Sequence, residues 1–414
     1  MENVRFGVVG YGQRGSSMTR SVILKINEID VVAVCDEYQD RVEEGIKDLK
    51  EIRGIDAFGT TNYHELLARE DVEAVYVASS WESHVEVAIE AMKAGKAVAM
   101  EVGGAYSIEE LTTLVKTQET TGMPFMLMEN CCFNKTELLA TAVARDGKFG
   151  KIVYCEGCYA HDLREEISKG NIIRHYRLRN YTNRNSENYP THELGPIAKL
   201  LNINRGNRML SLVSVASGAF GLEQYIADHP ELVEQDPTLA GRRFKQGDIV
   251  DTIITCAGGE TIHLRLDTTL PRFYSRNFTI RGTKGMYNQD TNTFFMDGTE
   301  EKHSINTVEY VKEFLENGKD YEEEYLPAEW RGMTPDLIRD GHGGMDIVEF
   351  RRFIECLREG KEMPIDVYDA AAWMAVTALS EQSILAGGAP QMIPDFTNGK
   401  WMQREPLDVV KLTK

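Results

Sequence analysis

Residues 4–15 read VRFGVVGYGQRG, a short apolar run that ends in Gly10, Gly12 and Gly15 at G-x-G-x-x-G spacing before a helical stretch. Such glycines let a backbone turn tightly and approach a pyrophosphate, whose charge then sits at a helix N-terminus. The next apolar run, DVVAVCD at 30–36, ends in Asp36. An acid placed about 20 residues beyond the glycines accepts from the adenosine ribose hydroxyls and repels a 2′-phosphate. Strand, glycine turn, helix and acid together predict a dinucleotide site, with NAD favoured over NADP.

Outward from this motif the pattern repeats. AVYVAS (74–79), AVAMEV (97–102) and FMLME (125–129) are further short apolar runs. Between two of them lies HVEVAIEAMKAG, in which Val85, Val87, Ala88, Ala91 and Met92 recur at helical spacing and Gly95 supplies a stop. Alternating strand and helix require crossover connections, so residues 1–128 are expected to form an α/β Rossmann domain on a doubly wound parallel sheet. The grammar then changes to longer strands: KIVYCEGCYAH (151–161), MLSLVSVAS (209–217), DIVDTIITCA (248–257), TIHLRLDTTL (261–270) and NFTIRG (277–282). With turn glycines between them, these predict an α+β domain over 129–414 with a large, mostly antiparallel open sheet. Helices return near its end, one from Asp346 with Ile347, Phe350, Phe353, Ile354 and Leu357 on one face, another over about 366–386. YEEEY (321–325) reads as a solvated surface segment.

Composition narrows the partners. The 414 residues are 42% hydrophobic and 27% charged, with 65 acids against 46 Lys and Arg, a formal charge of −19. A chain so acidic lacks the clustered cations that displace counterions, so no nucleic acid and no anionic membrane surface is expected. Seven scattered cysteines fit reduced thiols; Cys155 and Cys158 have CxxC spacing but no second ligand pair, so packing is expected and no metal. The chain enters its first strand at once, without a basic and apolar leader, and no run reaches the ~18 apolar residues that span a bilayer. A cytoplasmic enzyme is the expectation.

Dehydrogenases of this organisation usually carry Glu-Lys-Pro after the fifth strand, where this chain has Glu101-Val102-Gly103. The segments ENCCFNKTELLATAVARDGKFGKIVYCEGCYAHDLR and YRLRNYTNRNSENYPTHELGPIAKLLNINRG, between 129 and 206, explain the difference. They resemble glycoside hydrolase family 109, the NAD-dependent α-N-acetylgalactosaminidases of the glucose-fructose oxidoreductase and inositol dehydrogenase (Gfo/Idh/MocA) superfamily. GHGGMD (341–346), PIDVYDAAAW (364–373), LSEQSI (379–384) and PDFTNGKW (394–401) extend the resemblance over essentially the whole chain. That family also replaces the lysine with valine.

The resemblance implies a set of site residues. For NAD these are Gln13 and Arg14 within the glycine turn, Asp36, Trp81 to His84, Glu101, Val102 and Asn130. For the sugar they are Tyr159, Arg177, Tyr189, Thr191, His192 and Tyr274, with His192, Tyr189 and Tyr274 as the candidates for proton transfer. Two departures stand out: Ser83 replaces a second Trp of the family's T-P-W-E-W-H, implying a differently shaped nicotinamide pocket, and Glu193 stands where the family often has Gly. Read without the resemblance, Tyr159 and His161 share one strand face as core or rim groups, Thr191 caps a helix, and Asp162 with Arg164 forms a structural ion pair. His192-Glu193 begins a zinc motif that Pro196 interrupts.

Such a glycosidase needs no pair of carboxylates flanking the bond. Oxidation at sugar C3 acidifies the C2 proton, its removal expels the C1 substituent, water adds to the unsaturated ketone, and reduction restores the sugar. The alternative is a sugar or glycoside 3-dehydrogenase that stops at the ketone. A third reading is a catalytically silent NAD-binding protein. Superfamily analogy implies a homo-oligomer.

Overall fold

The computed structural model describes residues 3–299, 307–339 and 341–412. It divides into two compact units, residues 1–134 with 332–375, and residues 135–331 with 376–414.

The first unit holds six strands, β1 (Val4–Val9), β2 (Ile29–Cys35), β3 (Phe58–Thr60), β4 (Ala74–Val77), β5 (Ala97–Glu101) and β6 (Phe125–Met128). Their order is β3-β2-β1-β4-β5-β6 and every pairing is parallel, the doubly wound arrangement of a Rossmann domain. Strands β4, β5 and β6 are buried along their whole length, which is why their sequences read as unbroken apolar runs rather than alternating ones. The three-residue β3 has no legible period, and the sequence does not announce it. Helix Trp81–Lys93 follows β4, and Gly95 closes its C-terminus at φ 74°.

The segment 332–375 belongs to this unit, whereas a cut at 128/129 treats both domains as continuous pieces. Packing explains the detour. Helix Met345–Glu359 sets Phe350 edge-on to Tyr76 of β4 at 5.2 Å and Phe353 edge-on to Phe6 of β1 at 6.0 Å. Beyond it, the Leu127 amide donates to the Ile365 carbonyl at 3.1 Å.

The second unit is built on eight strands: β7 (Ile152–Ala160), β8 (Met209–Ala216), β9 (Ile249–Cys256), β10 (Thr261–Asp267), β11 (Thr279–Gly282), β12 (Gly285–Asn288), β13 (Thr293–Met296) and β14 (Gln391–Met392). Their order is β13-β12-β11-β7-β10-β9-β8-β14, antiparallel throughout except for β7 with β10. Val250, Thr252, Ile254, Ile262, Leu264 and Leu266 form the buried face, and the alternate positions point outward. Helix Thr191–Leu200 lies against β7 at Gly157, where an added Cβ would come within 3.0 Å of Glu193.

The acidic YEEEY is more than a solvated segment. It ends helix Lys319–Tyr325, whose Tyr325 is buried and donates to Asp146 at 2.7 Å, while Tyr321 stacks on Phe294 at 4.3 Å. The aromatics anchor the segment; Glu322 pairs with Lys135 at 2.7 Å. All seven cysteines are free and buried. Among the described residues no helix is long and apolar enough to cross a membrane.

Candidate active site

In the first unit the glycine turn takes the shape its spacing requires. Gly10 has φ 97°, and a Cβ there would stand 2.4 Å from the Ala78 carbonyl oxygen; one at Gly15 would stand 1.9 Å from the Gly10 oxygen. At Gly12, by contrast, an added Cβ meets only the Arg41 guanidinium, at 3.3 Å. Two glycines are thus needed for internal packing and the middle one leaves the turn open to a ligand, a cradle that fits a pyrophosphate at the start of helix Gln13–Ser21. Asp36, just past β2, accepts the Tyr11 amide at 2.7 Å and the Tyr38 amide at 3.0 Å. A carboxylate has about four acceptor sites, so two remain for ribose hydroxyls. Arg41, which the sequence motif does not single out, lies 3.7 Å from Asp36 and sits over the Tyr38 ring at 4.9 Å.

Arg14 is held by two acids. Its Nε donates to Glu101 at 2.8 Å, and its terminal nitrogens fork onto Asp346 at 3.1 and 3.2 Å. Asp346 also accepts from Asn130 at 2.6 Å and meets His342 Nδ1 at 2.8 Å; Glu101 accepts from the Tyr76 hydroxyl at 2.6 Å. Burial alone would raise the Asp346 pKa, but the Arg14 and His342 charges outweigh it and hold the carboxyl well below the usual range. One turn on, Glu349 is fully buried with neither oxygen hydrogen-bonded among the described residues. Burial and the Asp346 and Glu101 carboxylates push its pKa well up, so Glu349 keeps its proton. Sequence reasoning missed both acids, although two acids interrupting an otherwise apolar helix face were a readable signal.

Trp81 and Gly103 are fitted to each other. A Cβ on Gly103 would lie 2.6 Å from the indole Cδ1, so the glycine of Glu-Val-Gly makes room for the ring. His84 is buried, with Nε2 2.9 Å from the Ser79 carbonyl; burial lowers its pKa and leaves a neutral ring. Ser83, in place of the expected Trp, turns its hydroxyl back onto Ser79 Oγ at 2.8 Å and the Ser80 carbonyl at 3.1 Å. Val102 is buried.

In the second unit the structure brings Tyr159, Tyr189, His192, Arg177 and Tyr274 into one constellation. Tyr159, near the end of β7, has ring centroids of Tyr189 at 4.6 Å and His192 at 5.6 Å; Tyr189 and His192 are 4.7 Å apart. Arg177 opens helix Arg177–Asn183, donates to Glu166 at 2.6 Å and stands 5.4 Å from the Tyr189 ring. Tyr274 joins through His161, edge-on at 5.2 Å, whose Nδ1 is 3.4 Å from the Tyr159 hydroxyl. His161, which the sequence left as a rim group, is therefore the connector. Burial raises the Tyr159 pKa to about 12 against the opposing pull of Arg177, so at neutral pH this phenol is a hydrogen-bond donor. Burial, reinforced by Arg177, lowers the His161 pKa.

Thr191 does not cap its helix. It is the first helical residue after Pro190, fully buried, with its hydroxyl unpartnered among the described residues. Asp162 and Arg164 do form the ion pair, at 2.7 Å. Flanking the Tyr189-to-His192 turn, Glu187 and Glu193 are both buried, and each carboxyl acts on the other's proton affinity, which makes them a pair. Burial raises the Glu187 pKa to about 8 and drives that of Glu193 well above the usual range. The pair holds a proton at neutral pH, because two adjacent buried carboxylates do not both ionise.

Comparison with known proteins agrees in both units. Residues 133–403 match the glycosyl hydrolase 109 C-terminal domain, and residues 4–128 match the oxidoreductase family NAD-binding Rossmann fold. The α-N-acetylgalactosaminidase of Tannerella forsythia is 35% identical over 97% of this chain and 88% of its own length. That of Shewanella oneidensis is 35% identical over 99% and 88%. Among solved structures, levoglucosan dehydrogenase in complex with NADH and levoglucosan superposes with a TM-score of 0.70 at 17% identity, covering 95% of this chain and all of that one. Myo-inositol 2-dehydrogenase from Lactobacillus plantarum gives 0.65 at 15%, with the same coverage.

Proposed function

Because the chain belongs to glycosyl hydrolase family 109, we propose that it cleaves glycosidic bonds with NAD as a recycled cofactor, on α-N-acetylgalactosaminides or closely related glycosides. The observation that carries this reading is one chain joining an NAD-binding Rossmann fold to the Tyr159, Tyr189 and His192 cluster, with Val102 where a dehydrogenase of this organisation usually has lysine.

Gly10, Gly12, Gln13 and Gly15 would hold the pyrophosphate and Asp36 the ribose. Arg14, Trp81, His84, Glu101, Val102 and Asn130 would shape the nicotinamide end. When bound, NAD supplies a reversible acceptor for the hydride of sugar C3. The protein's part is proton traffic and orientation. His192, whose imidazole can both accept and return a proton, takes the C3 hydroxyl proton. Tyr189, whose ring the Arg177 guanidinium faces at 5.4 Å, takes the C2 proton. Tyr159, kept protonated by burial, and Tyr274 donate to the ketone oxygen as it becomes an enolate. The C1 substituent leaves, water adds, and the same groups return their protons. Arg177 and Thr191 orient the ring.

Two coarser properties complete the reading. Seven buried free thiols suit a reducing cytoplasm. Val215 and Ile253 stay exposed on the open face of the eight-stranded sheet, and a second copy of the chain is the partner proposed for that face.

The test is aryl-glycoside cleavage by protein stripped of NAD and then resupplied. Release from the α-N-acetylgalactosaminide that depends on NAD is expected, with His192→Ala slowing it at least about 100-fold while NAD still binds. No release from any α- or β-linked galactoside, glucoside or N-acetyl form contradicts the reading.

A further inference from the structure

Among the described residues three aromatic side chains are more than half exposed, Phe220 at 70%, Phe273 at 74% and Tyr274 at 51%. They are not scattered. Phe273 and Tyr274 are neighbours on the loop after β10, and Tyr274 reaches the Tyr159 cluster through His161. Phe220 belongs to a turn tied to that same loop by Asp248, which accepts the Phe220 amide at 2.8 Å, the Gly221 amide at 3.0 Å and the Thr269 hydroxyl at 2.7 Å.

Phe273 is also held in place. The Arg272 guanidinium lies 5.3 Å from its ring, and is itself fixed by Asp267 at 2.9 Å and by the Phe273 carbonyl at 2.8 Å. One face of the ring is thus taken by a cation that an acid at the end of β10 anchors, and the other faces solvent. Exposing a large apolar ring in a fixed orientation costs free energy that burial against a ligand recovers. The apolar C–H face of a pyranose is the complement of such a ring.

We propose that Phe273, with Phe220 on the turn that Asp248 ties to the same loop, is a stacking platform for the leaving-group sugar, the ring joined through the scissile bond to the one held by Tyr159, Arg177 and Tyr274. The platform deepens the proposed function and rests on it. It assigns this enzyme a preference for extended glycosides over simple ones, read by two residues with no role in the reaction itself.

Saturation-transfer NMR and calorimetry on NAD-free protein test the platform without turnover. The probes are methyl α-N-acetylgalactosaminide and a disaccharide carrying the same sugar α-linked to galactose. The disaccharide is expected to bind about tenfold more tightly, with saturation on its galactose protons, since one stacked ring is worth roughly 1.4 kcal/mol. Phe273→Ala and Phe273→Leu remove that advantage, the leucine variant showing that the flat ring rather than apolar bulk is read; Phe220→Ala reduces it. Equal binding of the two probes, saturation confined to the first ring, or an unchanged ratio in Phe273→Ala overturns the platform. So does a change in mass by light scattering with the ratio intact, which would make these rings a protein contact. If the second ring stacks but no glycoside is ever cleaved, the reaction has been misread and the platform stands.

Discussion

Asp36 serves the nucleotide turn twice, as acceptor for the Tyr11 and Tyr38 amides and as the acid 3.7 Å from Arg41. Its charge repels a 2′-phosphate and pairs with the Arg41 guanidinium that could otherwise welcome one. Asp36→Ala is therefore expected to raise KM for NAD about tenfold, the loss of roughly one charge-assisted hydrogen bond, and to let NADP compete. Steady-state kinetics with both nucleotides check this; unchanged discrimination would mean Asp36 only braces the loop. At this scale legibility followed sequence distance. Gly10, Gly12, Gly15 and Asp36 lie in one crossover unit and announce themselves. Asp346 meets Arg14 from 332 positions away, and no local pattern reports such a pairing. Gly103 is intermediate: its place in Glu-Val-Gly was readable, but its reason, the Trp81 ring, is tertiary.

Among elements, helix Thr191–Leu200 and the turn before it carry the most chemistry. They carry Tyr189 and His192, whose rings stand 4.7 Å apart, together with the buried Glu187 and Glu193. Since burial raises the folded pKa of Glu187 from 4.5 to about 8, the native state binds more protons than the unfolded chain between those values. Stability is then lost as pH rises through that window, at up to roughly 1.4 kcal/mol per pH unit for one such group. Glu193→Gln leaves an amide that donates to Glu187, so the stability slope between pH 5 and 8 is expected to flatten. Denaturation at several pH values reads the slope, and a slope unchanged in the variant would show that the pair does not govern it. Glu193 was legible as a departure from the family pattern, but its partnership with Glu187 was not, because a sequence does not show which residues of a turn face inward. The long strands were legible from their alternation. The parallel β7 and β10 pair was not, since adjacency in a sheet is a matter of topology rather than of local period.

For the whole molecule, the chain order 1–134, 135–331, 332–375, 376–414 shows each unit completed by a later segment. The Rossmann unit is closed by helix Met345–Glu359, whose apolar face was readable but whose destination was not. The net charge of −19 does not describe the local settings of the cations: Arg14 and Arg41 in the Rossmann unit, and Arg177 in the second unit, are each placed beside acids. In the proposed reaction, oxidation and reduction cancel within one turnover around a broken glycosidic bond. Turnover of an aryl α-N-acetylgalactosaminide in deuterated water tests it directly. The expected result is released aglycone, a sugar carrying deuterium at C2, and no accumulation of NADH. Stoichiometric NADH with the glycosidic bond intact would contradict it and identify a dehydrogenase.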